Sequence, residues 1–313
     1  MVRPILVLVG PTAVGKTGLA IELATQLNGE IISADSMQVY KGLDIGTAKP
    51  TVDERRGVPH HMLDVVEPSD EFSVAEYQAM VENILTELAV KDKVPILTGG
   101  TGLYIRAVLQ GFLLGAEGKD ASLRAELYNT AEKQGNEVLH ARLEEVDAPS
   151  AKRLHPNDLR RVVRALEVYE TTGTPLSGHL AMQKERPPVH RGIKFGLMRE
   201  REHLYQRIDA RVDEMLVKGL VEEVQRLLSR GLAHDSTAMQ ALGYKELVGY
   251  LEGHYSLEEA VYLLKRDTRR YAKRQLTWFR RDKAIKWISL DDHTSQEAVT
   301  RIVEDYRLQA QLD

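Results

Sequence analysis

The apolar run Ile5–Val9 leads directly into the residues GPTAVGKT at 10–17, and this stretch constrains the fold more than any other. A buried strand, a glycine-containing turn and a helix with apolar spacing over 18–27 form a phosphate cradle, because backbone N–H groups and the helix N-terminus point at the anion. The lysine adds a positive charge, and the threonine hydroxyl can hold Mg²⁺. The spacing leaves open whether the phosphate belongs to a nucleotide such as ATP or to another diphosphate. The predicted phosphate-binding residues, with Thr17 as the magnesium ligand, are Gly10, Pro11, Thr12, Ala13, Val14, Gly15, Lys16 and Thr17.

Two further segments follow predicted strands. The strand at 30–33 ends in Asp35, and the strand at 94–97 runs into small and hydroxyl residues around Thr101. Ligands gather at the carboxyl ends of parallel strands, so we expect Asp35 near the phosphate loop. Asp35 could accept a proton, bind a metal through water or cap a helix, and its position alone does not separate these roles. An ordinary P-loop ATPase has an acidic residue after a strand such as 94–97, where this chain has threonines and glycines.

The whole pattern predicts an α/β protein with a P-loop NTPase-like, mostly parallel sheet, flanking helices and an all-helical insertion domain. Glycines in 111–121 indicate a linker, and from 122 to 170 the apolar spacing is helical without a strand signal. Residues 58–65 alternate as a strand does, and 171–188 look loop-rich. Apolar residues at 192–197 predict a return to the sheet. We therefore expect a core domain of 1–113 and 192–313 and a helical insertion domain of 114–191.

Positive charge is concentrated near the C-terminus, although the formal net charge of the chain is -4. Nine of the nineteen residues at 265–283 are Lys or Arg, and Tyr271, Trp278 and Phe279 lie among them. A basic helix with aromatic side chains is typical of a nucleic-acid surface. A salt-bridged surface helix is the alternative, but Asp267 and Asp282 are the acidic residues that this segment sets against nine cations.

Two other groups of arginines could meet an anionic partner. Arg160, Arg161 and Arg164 lie in the first turns of a predicted capped helix at 155–169, where cations oppose the helix dipole, although such a run is also common on a solvated face. Arg207 and Arg211 are four residues apart on a predicted helix and share one face. They could pair with carboxylates at 209–214 or reach a phosphate, and the spacing does not decide between these partners.

The composition excludes several classes of chemistry. The chain has no cysteine, which excludes disulfides, thiolate zinc sites and cysteine nucleophiles and is compatible with a reducing cytoplasm. We recognise no signal peptide before the first strand, and no apolar run approaches the roughly 18 residues of a membrane span. His60 and His61 are adjacent, but neighbouring strand residues point to opposite faces, which disfavours a shared metal. We expect a cytoplasmic protein without membrane contact.

The segments 10–17, 35–40 (DSMQVY) and 98–104 (TGGTGLY) together closely resemble the bacterial tRNA dimethylallyltransferases of the IPP transferase family, also called tRNA isopentenyltransferases. The residues DIGTAKP at 44–50, PHH at 59–61 and KRQLTWFR at 273–280 extend the likeness along essentially the whole chain. The resemblance implies Mg²⁺-dependent transfer of a dimethylallyl group from dimethylallyl diphosphate to the exocyclic N6 amine of the adenosine immediately 3′ of the tRNA anticodon. It also explains the missing acidic residue, because the phosphate loop would hold a leaving group and no attacking water.

The same resemblance implies roles for individual residues. Lys16 and Thr17 match the diphosphate-binding lysine and the magnesium-binding threonine, and Asp35 matches the general base. Thr101 matches a position beside the reacting base. An arginine of the helix with Arg207 and Arg211 is expected to reach the diphosphate, and Arg211 is favoured. The positions that match anticodon-loop contacts are Asp35, Ser36, Met37, Gln38, Thr101, Arg124, Leu159, Arg160, Arg161, Val162 and Val163. The basic helix would grip the tRNA stem through Arg270, Lys273, Arg274 and Arg280.

We expect a monomer whose partners are the tRNA anticodon stem-loop and dimethylallyl diphosphate. Three alternatives use the same phosphate loop: an adenylate isopentenyltransferase acting on a free nucleotide, a P-loop small-molecule kinase with Asp35 at the acceptor hydroxyl, and a nucleotide-switched RNA-binding protein. The helical insertion and the basic segment favour tRNA, because a free nucleotide has no stem to grip.

Overall fold

A parallel sheet forms the centre of the fold. The computed structural model describes residues 3–111 and 120–311. Its strands are β1 (Ile5–Val9), β2 (Gly29–Ala34), β3 (His60–His61), β4 (Val94–Gly99), β5 (Gly192–Met198) and β6 (Lys286–Ser289). They form a 6-stranded sheet in the order β3-β2-β4-β1-β5-β6, and every pairing is parallel. The predicted α/β class with a mostly parallel sheet is confirmed.

Helices make up most of the remaining described chain. Their bounds are α1 Lys16–Leu27, α2 Val74–Val90, α3 Gly102–Gln110, α4 Ala121–Gln134, α5 Asn136–Val146, α6 Ala148–Ala151, α7 Leu159–Thr172, α8 Leu176–Glu185, α9 Arg201–Val217, α10 Leu220–Ser229, α11 Tyr244–Leu251, α12 Leu257–Phe279 and α13 Ser295–Ala310. In the part of the chain that the structure describes, no helix is long and apolar enough to cross a membrane.

The register of the central strands brings three strand ends to one level. The central strands of a parallel sheet are covered on both faces and are therefore apolar along most of their length, and all five residues of β1 are buried. Val9 of β1 is opposite Gly99 of β4, and Gly99 is opposite Ala34 of β2. The segments that follow β1, β2 and β4 therefore leave the sheet side by side.

The chain forms two compact units. The core unit comprises Met1–Ser73, Ala79–Leu109 and His190–Asp313 and contains the sheet, and the helical unit comprises Val74–Gln78 and Gln110–Val189. The helical unit has a hydrophobic core of its own. Its buried members are Leu127, Ala131, Leu139, Leu143, Ala151, Val162, Val163, Ala165 and Leu166.

Residues 171–188 are not loop-rich as predicted, because α8 occupies Leu176–Glu185. Pro175 precedes the helix with a φ of -56°, which suits entry into a helix. The Asp147 carboxylate accepts hydrogen bonds from the N–H groups of Ser150 at 3.1 Å and Ser177 at 3.0 Å. One side chain thus caps the starts of both α6 and α8. Because Asp147 lies 30 residues before Ser177, the local sequence does not show this cap.

The strand predicted at 58–65 is shorter than expected, since β3 spans His60–His61. Met62 and Asp64 have φ values of 62° and 56°, which end the extended backbone. The linker predicted at 111–121 falls mostly on residues 112–119, which lie outside the described residues.

Candidate active site

The phosphate loop leaves β1 and ends in α1. Gly15, at the N-cap of α1, has a φ of 115°, a conformation that residues with a side chain rarely adopt. A Cβ added at Gly10 would lie 2.7 Å from the Leu197 carbonyl oxygen, so close packing also requires glycine there. The Lys16 Nζ donates to the carbonyl oxygens of Gly10 and Pro11 at 2.9 and 2.8 Å. These bonds hold the ammonium group against the loop.

A cleft of about 900 Å³ opens beside this loop within the core unit. It is lined by the loop, by the ends of β2 and β4, by residues 44–54 and by side chains of α9 and α12. The predicted site residues that line it are Thr12, Ala13, Gly15, Lys16, Thr17, Asp35, Gln38, Arg207 and Arg211. The structure thus brings most of the predicted diphosphate-binding residues and the candidate base to one cleft.

Lys16, Arg211 and Asp35 act on one another electrostatically in the cleft. Desolvation, together with the positive charge of Arg211, lowers the pKa of Lys16 to about 7, and the negative charge of Asp35 opposes this shift. Desolvation also lowers the pKa of Arg211, although a guanidinium remains protonated at physiological pH. Two partly desolvated cations close together favour the binding of an anion, which would relieve their repulsion.

Arg207 and Arg211 lie on α9, and the structure indicates which partners they have. The Arg207 Nε donates to the Ala13 carbonyl oxygen of the phosphate loop at 2.9 Å. Of the carboxylates at 209–214, Asp209 and Asp213 pair with basic residues of α12, whereas Glu214 lines the cleft and its negative charge acts on Arg211. Both arginines line the cleft and are therefore placed to meet a phosphate.

Asp35 uses one carboxylate oxygen to fix the turn that follows β2. Its Oδ1 accepts hydrogen bonds from the N–H groups of Met37 and Gln38 at 2.9 and 3.4 Å. Among the described residues, none donates to its Oδ2. Among the described residues no helix begins at this turn, so Asp35 does not cap a helix, and its Oδ1 closes the turn while Oδ2 is left for a chemical role.

Thr101 joins the ends of β2 and β4. Its N–H donates to the Ala34 carbonyl oxygen at 3.0 Å, and its hydroxyl oxygen accepts from the Ser36 N–H at 3.1 Å. These two bonds flank Asp35 in the sequence and fix the backbone on both sides of it. Thr101 therefore stabilises the position of the candidate base.

Gln275 of α12 is a site residue that the sequence reasoning missed. It is 6% exposed. Its Oε1 accepts from the Thr12 N–H at 2.8 Å, and its Nε2 donates to the Gly100 carbonyl oxygen at 3.1 Å. One side-chain amide thus joins the phosphate loop to the end of β4. An uncharged polar residue among the cations of 265–283 was the signal available in the sequence, but its partners lie 263 and 175 residues away.

Tyr271 lies one turn before Gln275, so the two side chains share a face of α12, and both line the cleft. Desolvation and the negative charge of Asp35 raise the pKa of Tyr271 to about 12. The phenol is therefore protonated at neutral pH and can donate a hydrogen bond within the cleft.

The cations of 265–283 differ in pairing and in exposure. Lys265 pairs with Asp213 and Arg269 with Asp209, both at 2.6 Å. The salt-bridged alternative thus holds for part of the helix, because α9 supplies carboxylates from outside the segment. The predicted stem contacts are all exposed: Arg270, Lys273, Arg274 and Arg280. Among them Arg270 has a carboxylate within 4 Å in the described chain, that of Asp267 at 3.1 Å.

The predicted RNA contacts on α7 differ in exposure. Arg160 and Arg161 are exposed, whereas Val162 and Val163 are 0% and 1% exposed in the core of the helical unit. The predicted cap of this helix is wrong, because Asp158 at the N-cap makes no side-chain capping bond and pairs with Arg161 at 2.8 Å. The valine side chains are occupied in packing, so the exposed arginines are the groups of this segment that an RNA could reach.

Arg124 of α4 binds a fully buried carboxylate. Its guanidinium donates to both oxygens of Glu167 at 3.0 and 3.1 Å, and Arg164 donates to the same carboxylate at 2.8 Å. Burial alone would raise the pKa of Glu167, but bonds from Arg164, the Asp120 N–H and Arg124 hold that pKa below its usual value. Sequence reasoning selected the two arginines and missed the carboxylate that positions them.

Within residues 3–111 and 120–311, no group of three or more His, Cys, Asp and Glu side chains could hold a metal ion. The adjacent histidines have other partners, since His61 bonds with the Glu30 carboxylate at 2.7 Å and His60 with the Val58 carbonyl oxygen at 2.8 Å. Thr17 is exposed at the start of α1 and lines the cleft. A cation here would therefore take most of its ligands from a bound phosphate and from water.

The fold and the cleft define a class of protein, a P-loop α/β protein whose phosphate loop shares a cleft with a carboxylate at the end of β2, two strands away in the sheet. The comparison with protein families identifies the family within that class. The family model described as IPP transferase matches residues 38–282. The chain belongs to this family, as its motifs led us to expect.

Curated relatives match almost the whole chain. A protein of Halothermothrix orenii named tRNA dimethylallyltransferase is 54% identical over 286 residues, which cover 91% of this chain and 87% of the relative. A protein of Carboxydothermus hydrogenoformans with the same name is 50% identical over 305 residues, which cover 97% of this chain and 98% of the relative.

Solved structures share the fold. The full-length tRNA isopentenylpyrophosphate transferase from Bacillus halodurans has a TM-score of 0.74 and 43% identity, and the match covers 99% of this chain and 97% of that one. A eukaryotic dimethylallyltransferase described as acting on tRNA has a TM-score of 0.82 and 30% identity, with coverage of 98% and 80%. Both comparisons agree with the predicted fold class.

Proposed function

We propose that this chain transfers a dimethylallyl group from dimethylallyl diphosphate to the exocyclic N6 amine of the adenosine immediately 3′ of the tRNA anticodon and releases diphosphate. One observation carries the proposal: Asp35, whose Oδ2 receives no hydrogen bond from residues 3–111 and 120–311, lines the same cleft as Lys16, Arg211 and the phosphate loop. Such a cleft can stabilise a departing diphosphate and deprotonate an attacking amine. The names of the relatives and of the solved structures support this reading.

The charged groups of the cleft account for the departure of the diphosphate. As the bond from the allylic carbon to oxygen breaks, negative charge grows on the diphosphate. Lys16, Arg211 and the amides at the start of α1 stabilise this charge without moving, because they are already positioned. Arg207 contributes by holding the loop at Ala13. These groups lower the barrier to the reaction by acting on the leaving group.

Asp35 activates the nucleophile, the N6 amine of adenosine. The N6 amine is a weak nucleophile because its electron pair is delocalised into the adenine ring. As N6 bonds to the allylic carbon, one amine proton moves to Asp35 Oδ2, while Oδ1 stays bonded to Met37 and Gln38. General-base catalysis of this kind contributes about 10² to 10⁴ in rate. Thr101 lies beside the reacting adenine, and its bonds to Ala34 and Ser36 keep Asp35 in place.

The residues of the cleft fit Mg²⁺ as a cofactor. Mg²⁺ prefers oxygen ligands and commonly binds through substrate phosphates and water with one or two protein oxygens. The Thr17 hydroxyl, exposed in the cleft, would hold it. When bound, the ion supplies further positive charge to the diphosphate.

The tRNA contacts divide between the two units, with the insertion domain taken as 114–191 and the core domain as 1–113 and 192–313. We assign the anticodon loop to Asp35, Ser36, Met37, Gln38, Thr101, Arg124 and, within 159–163, the exposed side chains of Arg160 and Arg161. The stem is assigned to Arg270, Lys273, Arg274 and Arg280. Proteins read RNA sequence mainly in single-stranded loops, where a base leaves its stack at a cost of a few kcal/mol. The proposed enzyme acts as a monomer in the cytoplasm.

Mass analysis of tRNA nucleosides tests the proposal. The chain is incubated with unmodified tRNA, dimethylallyl diphosphate and Mg²⁺, and the tRNA is digested to nucleosides. An adenosine heavier by one C5H8 unit, placed beside the anticodon by fragment mapping, is the expected result. Unmodified tRNA after incubation with a folded protein would contradict it.

Two parallel assays distinguish the alternatives. Transfer to free AMP at a rate equal to that on tRNA would favour an adenylate isopentenyltransferase. Hydrolysis of ATP or phosphorylation of a small molecule would favour the kinase or the nucleotide-switched protein. We expect no ATP hydrolysis and no phosphorylation, because the end of β4 has no acidic residue to hold a nucleotide-bound metal and a water.

A further inference from the structure

Glu223 on α10 is a buried carboxylate with four hydrogen-bond donors. It is 1% exposed. It accepts from the N–H groups of Asp44, Ile45 and Gly46 at 3.1, 2.9 and 3.1 Å and from the Tyr244 hydroxyl at 2.6 Å. Desolvating a carboxylate is costly, so four converging donors indicate a site that is built to keep one there.

The three N–H groups belong to a loop that forms a wall of the cleft. Asp44, Ile45 and Thr47 line the cleft together with Lys16 and Asp35. The loop also lies directly on the Tyr244 ring, because a Cβ added at Gly46 would be 2.5 Å from Tyr244 Cε2. The carboxylate and the ring thus fix the backbone of the loop from α10 and α11, 177 or more residues away in the sequence.

We infer that Glu223 is a positioning residue, which together with Tyr244 holds loop 44–47 in place as the wall of the diphosphate cleft. This inference rests on the proposed function. Glu223 does not line the cleft and acts through the backbone that it binds. Releasing that backbone moves the wall, and the bound donor loses contacts that depend on it.

The effect of Glu223 is expected to stay local, because the loop has a second anchor. The Lys49 Nζ is buried and donates to the Tyr40 carbonyl oxygen at 2.8 Å and to the carboxylates of Asp44 and Asp64 at 2.7 and 2.5 Å. These bonds fix the chain at Lys49, beyond the three N–H groups that Glu223 binds, and they also hold the Asp44 side chain. Loss of the Glu223 bonds therefore loosens residues 44–47 and leaves the rest of the segment attached.

The test compares Glu223→Gln and Tyr244→Phe with the unchanged protein. A glutamine keeps the volume of the side chain but has one acceptor oxygen, and its NH2 group meets backbone donors. We expect the KM for dimethylallyl diphosphate to rise about tenfold in Glu223→Gln, with the KM for tRNA unchanged. Tyr244→Phe keeps the three backbone bonds and should show a smaller rise. Hydrogen exchange of a peptide covering 43–48 should accelerate in Glu223→Gln.

Asp147→Asn is the matched control. Asp147 is another buried carboxylate that binds backbone N–H groups, but it lies in the helical unit. It should lower Tm without changing the donor KM or the exchange of 43–48. An unchanged donor KM in Glu223→Gln, or a loss of kcat that merely follows Tm, would overturn the inference. If the unchanged protein transfers no dimethylallyl group, the proposed function is wrong. The role of Glu223 is tested independently, because unchanged hydrogen exchange of 43–48 in Glu223→Gln would show that Glu223 does not hold the loop.

Discussion

At the scale of single residues, Asp35 offers a sharp test of the chemistry. Asp35→Asn keeps an acceptor for the N–H groups of Met37 and Gln38 but cannot accept the amine proton. We expect kcat to fall by about 10² to 10⁴, with tRNA affinity retained. Steady-state transfer and a tRNA binding assay measure the two effects. Asp53→Asn, which changes another carboxylate of the same cleft, serves as the control. Near-normal turnover in Asp35→Asn would exclude Asp35 as the base.

Lys16 gives the cleft a pH dependence. Its pKa is lowered from 10.5 to about 7 in the free protein, chiefly by desolvation, and a bound diphosphate favours the protonated form and raises it. Below pH 7 the lysine is protonated with and without donor, so affinity does not depend on this group. Above pH 7 the free protein loses the proton that the complex retains, and binding must take up a proton. Affinity for the donor should therefore fall by up to about tenfold per pH unit above 7.

Calorimetric titration of dimethylallyl diphosphate without tRNA, from pH 7 to 9, measures this dependence. Lys16→Arg is the control, because a guanidinium stays protonated over this range and its affinity should not follow the same slope. A wild-type affinity that is flat from pH 7 to 9 would show that the lysine remains charged in the free protein.

At the scale of elements, α12 has one face that lines the cleft and another that is exposed and positively charged. One face lines the cleft through Tyr271 and Gln275, and the exposed face carries Lys273 and Arg274. If the exposed face binds the tRNA stem, Lys273→Ala with Arg274→Ala should weaken tRNA binding and reduce the slope of log affinity against log salt by about two. Binding measured over a series of salt concentrations gives that slope.

Lys265 and Arg269 provide a matched pair of cations on the same helix. Both pair with carboxylates of α9. Replacing them with alanine removes the same charge, and we expect a lower Tm with little change in the salt slope. Equal slopes for the unchanged protein and for the Lys273 and Arg274 variant would mean that the stem binds elsewhere.

What the sequence could predict at this scale depended on how local the signal was. The strand, turn and helix of 5–27 are encoded within one short segment, so the prediction is confirmed. The start of α8 depends on Asp147, which is 30 residues away, and the prediction of a loop was wrong. Gln275 and Glu223 are hidden for the same reason, since the backbone groups that they bind are more than 170 residues distant and no periodicity in the sequence indicates them.

At the scale of the whole molecule, each unit has its own buried core, and the two cores can be weakened separately. Leu166 is fully buried in the helical unit and Leu8 in the core unit. Replacing a buried leucine with alanine typically lowers the free energy of unfolding by about 2–5 kcal/mol, and the loss is larger where a larger cavity remains. A substitution in one core should therefore weaken the binding function, for donor or for tRNA, that this unit performs.

Leu166→Ala should accelerate hydrogen exchange in α4 to α7 and raise the KM for tRNA, while the affinity for dimethylallyl diphosphate stays unchanged because the cleft lies in the core unit. Leu8→Ala is the matched substitution in the sheet and should weaken donor binding first, since Leu8 precedes the phosphate loop on β1. Exchange by mass spectrometry and donor calorimetry on both variants separate the outcomes. If Leu166→Ala weakens donor binding as much as Leu8→Ala does, the assignment of donor binding to the core unit alone is wrong.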